Sequence, residues 1–532
     1  ALACAIGLTV KYGSTYRPVV EPVREIEEIW ALEDAREESE EPLVTRLFCN
    51  GVPMAYDAEN NVFYGSLGLE NGAQWPEIKL TASEEAAKGL SLCLADDYGF
   101  DDCDMAIREG YSYQIFAYTD TAYSYAEVVF TGLPLVNVTA EQTIEREDVP
   151  AQIEIALAAE GLQTNGRIHK RGGASILNDK VGYKLEFTRT TDGKKKIYRE
   201  IPGMGTDSQV ILLPMNALDT TMMRDRLSWS LYARLTRRDE PFSARKTQYC
   251  ELFLNGEYRG VYLMLEPFSV RQEVAKAGEE RLTTDSVYRT AVISLSHGRP
   301  CMEDPYSAAT GFELYYPMDG EPDFSPLSDY FALLGETDDA AFMRRAAQII
   351  DLDSALRYDV VLQLFGLTDN VINNMYTWAQ NSRGHTRYRF DFWDLDVSWG
   401  LKRDEIGEMH ENWVFFPLVD RLLRADEEGG VRKRYGEIYR EVREKAFDAE
   451  TVEALVGQYA HELNDSGAMA RNADRWETEN YTADGYELVA FAAERIALLD
   501  EPVRAMSAGE EIDLRFLEKT NYDDKGTPLT EE

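Results

Sequence analysis

Asp369 and Asn374 stand with four residues between them in the stretch DNVINN, and Asp394 and Asp396 follow in FDFWDLDVSWG, residues 390–400. Carboxylates set near a neutral amide are donors for a hard divalent cation, which prefers oxygen ligands. The same set suits phosphoryl transfer. One carboxylate orients an acceptor hydroxyl, while the amide and anionic oxygens hold a metal against phosphate. Phe390, Phe392, Trp393 and Trp399 around the aspartates ask for burial. On an extended backbone, residues 390, 392, 394 and 396 share one face. Two carboxylates on a partly buried face need something positive, and magnesium carried by a nucleotide would supply it. A bare D-x-D says little in a chain with 95 acidic residues, and Asp351 with Asp353 forms another. The ordered set of loop Asp, Asn, hairpin and aromatic-flanked D-x-D says much more. Asn373 competes with Asn374 for the amide role.

The elements that must position this set are a helix end, a loop and a hairpin. MYTWAQ and TRYRFDFW read as its strands, with NSRGH as the turn. A second group of candidates lies upstream in KRGGAS, residues 170–175, and NDKVGYKLEF. Gly172 with Arg171 and Ser175 lets backbone amides approach phosphate. Lys180 and Lys184 are four apart, so on a strand they point the same way. Then come a helix in TTMMRDRLSWSLYARLTRR and two strands joined at Asn255–Gly256, the strongest short hairpin signal. Glu266 ends the second of these.

The chain has 532 residues, 44 % of them apolar, which is enough for two or three globular domains. Its net charge of −40 repels DNA, RNA and anionic membranes and excludes nucleic-acid binding as the main task. Six cysteines without a C-x-x-C pair, and five histidines, argue against structural zinc. Cys93 and Cys103 could bridge locally. The opening run ALACAIGLTV is too short to span a membrane. It suggests the stump of a signal or anchor segment, hence export, with membrane association only through such an anchor.

Residues 1–42 read as a leader remnant and acidic linker, with 18–42 a linker or solvated helix. Residues 43–136 alternate like a small β sandwich, and 137–268 form a β-rich lobe with one long helix. Residues 268–340 look like an irregular acidic insertion. From 341 to about 505 helices dominate, and a polar tail follows from 506 to 532.

The pieces KRGGAS with its lysine strand, MRDRLSWSLYARL, ELFLNGEYRGVYLMLEPF, DNVINNMY and FWDLDVSWG resemble, in order, the spore-coat protein H (CotH) kinase family over roughly residues 150–405. The D-x-x-x-x-N spacing followed by a hairpin and an Asp is also that of protein-kinase catalytic loops. The resemblance implies an α+β, two-lobed atypical protein-kinase-like fold, with a β-rich N-lobe (137–268) and a helical C-lobe (269–505), preceded by the β-sandwich module. It implies an ATP- and Mg- or Mn-dependent Ser/Thr kinase, extracellular, cell-surface or spore-coat associated. The protein substrate is expected to be basic and Ser-rich. In that reading Asp369 orients the substrate hydroxyl, and Asn374, Asp394 and Asp396 hold the metal. Arg171, Gly172, Ser175, Lys180, Lys184 and, at the hinge, Glu266 contact the nucleotide. Gly173, Ala174 and Val181 depart from the family's Asn, Ser and second Lys, and Asp225 stands where Asn is common. The alternative is a catalytically inactive, kinase-like surface binding or scaffold protein.

Overall fold

Seven strands between residues 135 and 265 close into a barrel. In chain order they are β1 (Leu135–Thr139), β2 (Val149–Leu157), β3 (Glu160–Arg171), β4 (Gly182–Thr188), β5 (Gln209–Leu213), β6 (Thr247–Leu254) and β7 (Glu257–Leu265). Around the barrel the order is β1-β2-β3-β4-β5-β7-β6, closed by the parallel pair β6–β1. The computed structural model describes residues 20–24, 26–67, 78–83, 90–95, 107–172, 174–215, 219–237, 242–269, 285–291, 311–317, 323–371, 373–382, 385–401, 413–414, 416–477, 484–510, 521–522 and 528–529. Period-two alternation fills the barrel. Val149, Ala151, Ile153 and Ile155 of β2 meet Tyr183, Leu185 and Phe187 of β4 in one core. At the β6–β7 turn Asn255 and Gly256 both take positive φ, +54° and +78°, the left-handed pair a two-residue hairpin requires.

The chain divides into two compact units. The first comprises the described residues of Ala1–Pro214, Tyr249–Met264 and Glu462–Glu479; the second comprises those of Met215–Gln248, Leu265–His461 and Asn480–Glu532. Besides the barrel, the first unit holds the module that precedes it. There a sheet built on Val62–Ser66, Ser91–Ala95, Ser112–Tyr118 and Ala122–Thr131 shares a core with a three-stranded sheet, Leu47–Cys49, Val52–Pro53 and Leu80–Ala82. Within the acidic stretch 18–42, read as a linker or solvated helix, the described residues form strands and a helix. Val20–Arg24 pairs in parallel with Ser91–Ala95, and the helix α1 (Ile26–Asp34) buries Ile29 in a cluster with Cys93 and Phe116, with Leu32 packed against it. Apolar residues three apart make a stripe that the surrounding glutamates mask in composition. Cys93 is buried; the expected bridge involves Cys103, which lies outside the described residues.

In the second unit, residues 268–340 are more than an insertion. They supply β8 (Ser286–Ala291) and β9 (Phe312–Tyr316), which flank the hairpin of β10 (Asn373–Ser382) and β11 (His385–Phe392) in the order β9-β8-β10-β11. A lone hairpin is marginal in water, so these strands are what makes the predicted hairpin a stable platform. The helix α2 (Arg224–Tyr232) is shorter than its apolar spacing suggests, because Met222 takes a left-handed φ of +58° just before it. The helix α3 (Leu352–Phe365) leads toward the site. Asp351 caps it, accepting from Ser354 N at 3.2 Å, and Gly366 ends it at φ +64°. The second D-x-D is thereby explained as a helix cap and, through Asp353, an ion pair with Arg434 at 2.7 Å. No helix among the described residues is long and apolar enough to cross a membrane.

Asp359 is buried within α3 and accepts from Tyr435 Oη at 2.8 Å and from Gln363 Nε2 at 3.3 Å. Burial pushes its carboxyl up to about 7, against the pull of those two bonds. Because the folded value is raised, the stabilisation is full below the unfolded value near ~4 and is lost as pH climbs through about 7. The loss is on the order of 4 kcal/mol across that window. Asp359→Asn removes the ionisation. The melting temperature of the variant relative to wild type should therefore rise from pH 5 to about pH 7 and level off above it. A difference that stays flat over that range would contradict the assignment.

Candidate active site

The left-handed turn at Gly366 brings the chain into a 3₁₀ turn, Asp369–Val371, whose three residues are buried. Asp369 is only 1 % exposed. Its Oδ2 accepts from Asn374 Nδ2 at 2.8 Å and its Oδ1 from Asn373 Nδ2 at 3.2 Å. The predicted pair of Asp369 and Asn374 is therefore in direct contact, and Asn373 bonds the same carboxylate. Asn370 fastens the turn to the far end of the hairpin, donating from Nδ2 to Trp393 O at 2.7 Å, while Tyr358 of α3 donates to Asn370 O at 2.7 Å. In the β10–β11 register Met375 lies opposite Phe392, so Asn373 and Asn374 open the hairpin where Trp393 and Asp394 leave it.

Asp394 and Asp396 are half-buried. They do not continue the face of Phe390 and Phe392, because β11 ends at Phe392 and Asp394 has φ +56°, which breaks the alternation. The fully buried carboxylate of this stretch is instead Asp391, at 0 % exposure, and its positive partner is the buried Arg245, at 2.6 Å. Arg245 in turn lies over the Phe268 ring. No spacing rule joins residues 245 and 391, so sequence reading missed this pair.

The start of α2 grips the loop after β11. Asp225 Oδ1 accepts from Leu395 N at 2.9 Å, Arg224 Nε donates to Ser398 O at 3.0 Å, and Trp399 Nε1 donates to Ser228 Oγ at 2.9 Å. Arg224 also pairs with Asp219 and Glu487. Trp399 packs with Phe365 and Phe447 in a cluster of three mutually contacting rings. Asp225 thus acts as a backbone acceptor that shapes the Asp394–Asp396 loop. The field of Asp394 reaches Arg289 of β8. Burial disfavours the Arg289 charge, but its bond to Glu313 and the neighbouring Tyr376 and Asp394 outweigh that and hold the guanidinium above its ordinary range.

Among the described residues no group of three or more His, Cys, Asp or Glu side chains is placed to hold a metal. A cage made wholly of carboxylates is thus not the arrangement here. A magnesium ion is usually held by one or two carboxylates together with substrate phosphates, and the donors present fit that pattern. With its nitrogen committed to Asp369, the Asn374 amide turns its oxygen the other way. The Asn374 oxygen and the carboxylates of Asp394 and Asp396 are the hard donors that could hold such an ion.

The upstream candidates belong to the first unit. Arg171 ends β3, Gly172 has φ +127° with Ser175 Oγ against it, and Ser175 lies in the 3₁₀ turn Ala174–Leu177. Lys184 is on β4 and half-buried; the register sets it opposite His169. Burial, with Lys196 nearby, holds its ammonium below the usual lysine range. Lys180 does not share its strand, since β4 begins only at Gly182. The Lys180 ammonium donates to Val261 O at 2.6 Å and to Asn472 Oδ1 at 2.8 Å. Val181, at the place of the family's second lysine, is in the barrel core. Glu266 directly follows β7, in the second unit; its Oε2 accepts from Lys246 N at 3.0 Å and its own N donates to Lys246 O at 2.9 Å.

A family model described as CotH kinase protein matches residues 168–499. This chain belongs to the CotH kinase family. No curated protein matches it. The CotH match takes in both groups of candidates and begins after the two-sheet module. It also takes in the helix Ala468–Trp476, whose residues fall within the C-lobe span expected from the sequence. In this CotH chain that helix belongs with the barrel. Arg471 clamps the buried Glu251 through Nε at 3.0 Å and Nη2 at 2.9 Å, and Tyr258 Oη donates to the same carboxylate at 2.7 Å. Asn472, Arg471 and Glu251 were all missed. Their signal is three-dimensional: a helix more than 200 residues downstream completes the β6–β7 hairpin.

Proposed function

We propose that this CotH-family chain transfers the γ-phosphoryl group of ATP to a Ser or Thr hydroxyl of a surface, coat or envelope protein. The observation that carries this reading is the Asp369–Asn374 contact at the root of a hairpin whose other strand delivers Asp394. We read the barrel-bearing unit and the helix-rich unit as the lobes of an atypical kinase-like fold, with Glu266 beside the point where the chain leaves the first for the second. Asn374, Asp394 and Asp396 would hold Mg²⁺ or Mn²⁺, which when bound neutralises phosphate charge. A bond forms from the acceptor oxygen to the γ-phosphorus as the β–γ bridging bond breaks, and ADP leaves. The hydroxyl proton goes to Asp369 or to solvent. Arg171 and the amides around Gly172 and Ser175, with Lys180 or Lys184, would face the phosphates. Positioning and electrostatic stabilisation supply most of the rate in such chemistry. A basic, Ser-rich acceptor fits the −40 charge, and we place the protein outside the cell, on the surface or in a spore coat.

A second reading, binding or scaffolding without turnover, is favoured by one observation: Asp369 and Lys180 already bond to protein groups. Labelled ATP with Mn²⁺ and basic Ser-containing peptides separates the two. The kinase reading expects transfer that stops when the metal is chelated. Metal-dependent nucleotide binding without transfer to peptide, protein or the chain itself would leave only the second.

A further inference from the structure

Lys180 is held from two sides within the first unit. The β7 backbone contributes Val261 O, and the Ala468–Trp476 helix contributes Asn472 Oδ1. The same Asn472 oxygen accepts from Val261 N at 3.0 Å, so one amide fixes both the ammonium and the strand beside it. The helix is set in register by bonds on either side of Asn472: Arg471 to Glu251, Arg475 Nε to Tyr258 O at 2.9 Å, and Trp476 Nε1 to Arg259 O at 3.1 Å. β7 makes room for it with Gly260, at φ +86°, where a Cβ would strike Asn472 Oδ1. Asn472 is fully buried, and its Nδ2 has no hydrogen-bond partner among the described residues. An unmet buried donor is costly, so the residue is in place for its oxygen.

An ammonium has three N–H donors. Two of those on Lys180 are committed, and the Tyr262 ring lies 4.9 Å from Nζ. The direction of the third is therefore set by the protein. We propose that Asn472 is a positioning residue, reaching from the Ala468–Trp476 helix to fix the Lys180 ammonium so that its remaining donor is aimed at an anionic oxygen of the nucleotide. The nucleotide as target rests on the kinase reading above; the hold of Asn472 on Lys180 does not. The charged and titratable groups facing Lys180 are Cys250 of β6 and Arg259 and Tyr262 of β7. Burial pushes the ammonium well below its ordinary range, with Cys250 opposing and Arg259 reinforcing the shift.

Competitive labelling of the full chain with acetic anhydride, read by mass spectrometry at pH 8, tests this with exposed Lys194 as internal reference. Asn472→Asp sets a carboxylate beside the ammonium, raises its pKa and slows Lys180 labelling, about tenfold for each unit of pKa. Asn472→Ala removes the acceptor, so Lys180 labels several-fold faster than in wild type. General loosening of the barrel speeds labelling in both variants, so the opposite signs report the contact itself. Changes of the same sign, or none, overturn the proposal. A second arm adds Mn²⁺ with a non-hydrolysable ATP analogue. Protection of Lys180 in wild type that weakens in Asn472→Ala supports the aim at nucleotide. No protection in wild type overturns that aim, and the sign test still decides whether Asn472 holds Lys180.

Discussion

Asp394→Asn is expected to lower metal-dependent phosphoryl transfer by roughly 10²–10³-fold or more, the scale on which losing one preorganised electrostatic group acts. The substitution is a clean one for a backbone reason. Asp394 sits at φ +56°, a conformation that Asn accepts at least as readily as Asp, so the loop keeps its shape while the charge goes. Leu395 N stays bonded to Asp225 and Trp399 to Ser228, because neither contact uses Asp394. The melting temperature without nucleotide should stay close to wild type, while the stabilisation conferred by Mn²⁺ with an ATP analogue disappears. Unchanged turnover in Asp394→Asn would remove this residue from the metal side. Asp394→Ala is less informative, since a left-handed Ala adds a backbone cost of about 1–2 kcal/mol.

Asp391→Ala should be among the most destabilising single changes in the second unit, with little direct bearing on chemistry. It leaves Arg245 buried without its Asp391 partner, and breaking a buried pair in this way costs roughly 3–5 kcal/mol. Replacing both partners by apolar residues of similar size, Asp391→Leu with Arg245→Met, should cost much less than the single change, because no charge is stranded. Denaturant unfolding followed by tryptophan fluorescence measures this, with Trp378 and Trp393 in and beside the same hairpin. If the double variant is as unstable as Asp391→Ala, the stranded charge is not the cause.

These two residues show what was legible in the sequence. The hairpin and the closeness of Asp369 to Asn374 at its root were legible from order and spacing, because a turn and a hairpin are local and place their residues by short-range rules. The Asn255–Gly256 turn was found for the same reason: left-handed backbone selects its residue types. Asp391 was passed over although it is only three residues from Asp394. Its burial depends on which face of β11 the sheet covers, and on Arg245, which no periodicity links to it. The strands β8 and β9 were hidden because they are short and stand apart in an acidic stretch. The helix α1 was one of two alternatives for its stretch, and its packing was hidden because glutamates outnumber the few residues it buries. Lys180 was placed on a strand by counting, yet β4 starts two residues later. The bond to Asn472 spans 292 positions, beyond any local rule.

We propose that this chain holds a divalent cation together with a nucleotide through residues at the end of the β10–β11 hairpin. Electron paramagnetic resonance of Mn²⁺ titrated into the full chain, with and without a non-hydrolysable ATP analogue, measures that directly. The predicted result is one protein-bound Mn²⁺ that appears with the analogue present, is weak or missing without it, and is lost in Asp394→Asn. Mn²⁺ binding that is indifferent to the nucleotide, or that survives in Asp394→Asn, would contradict it.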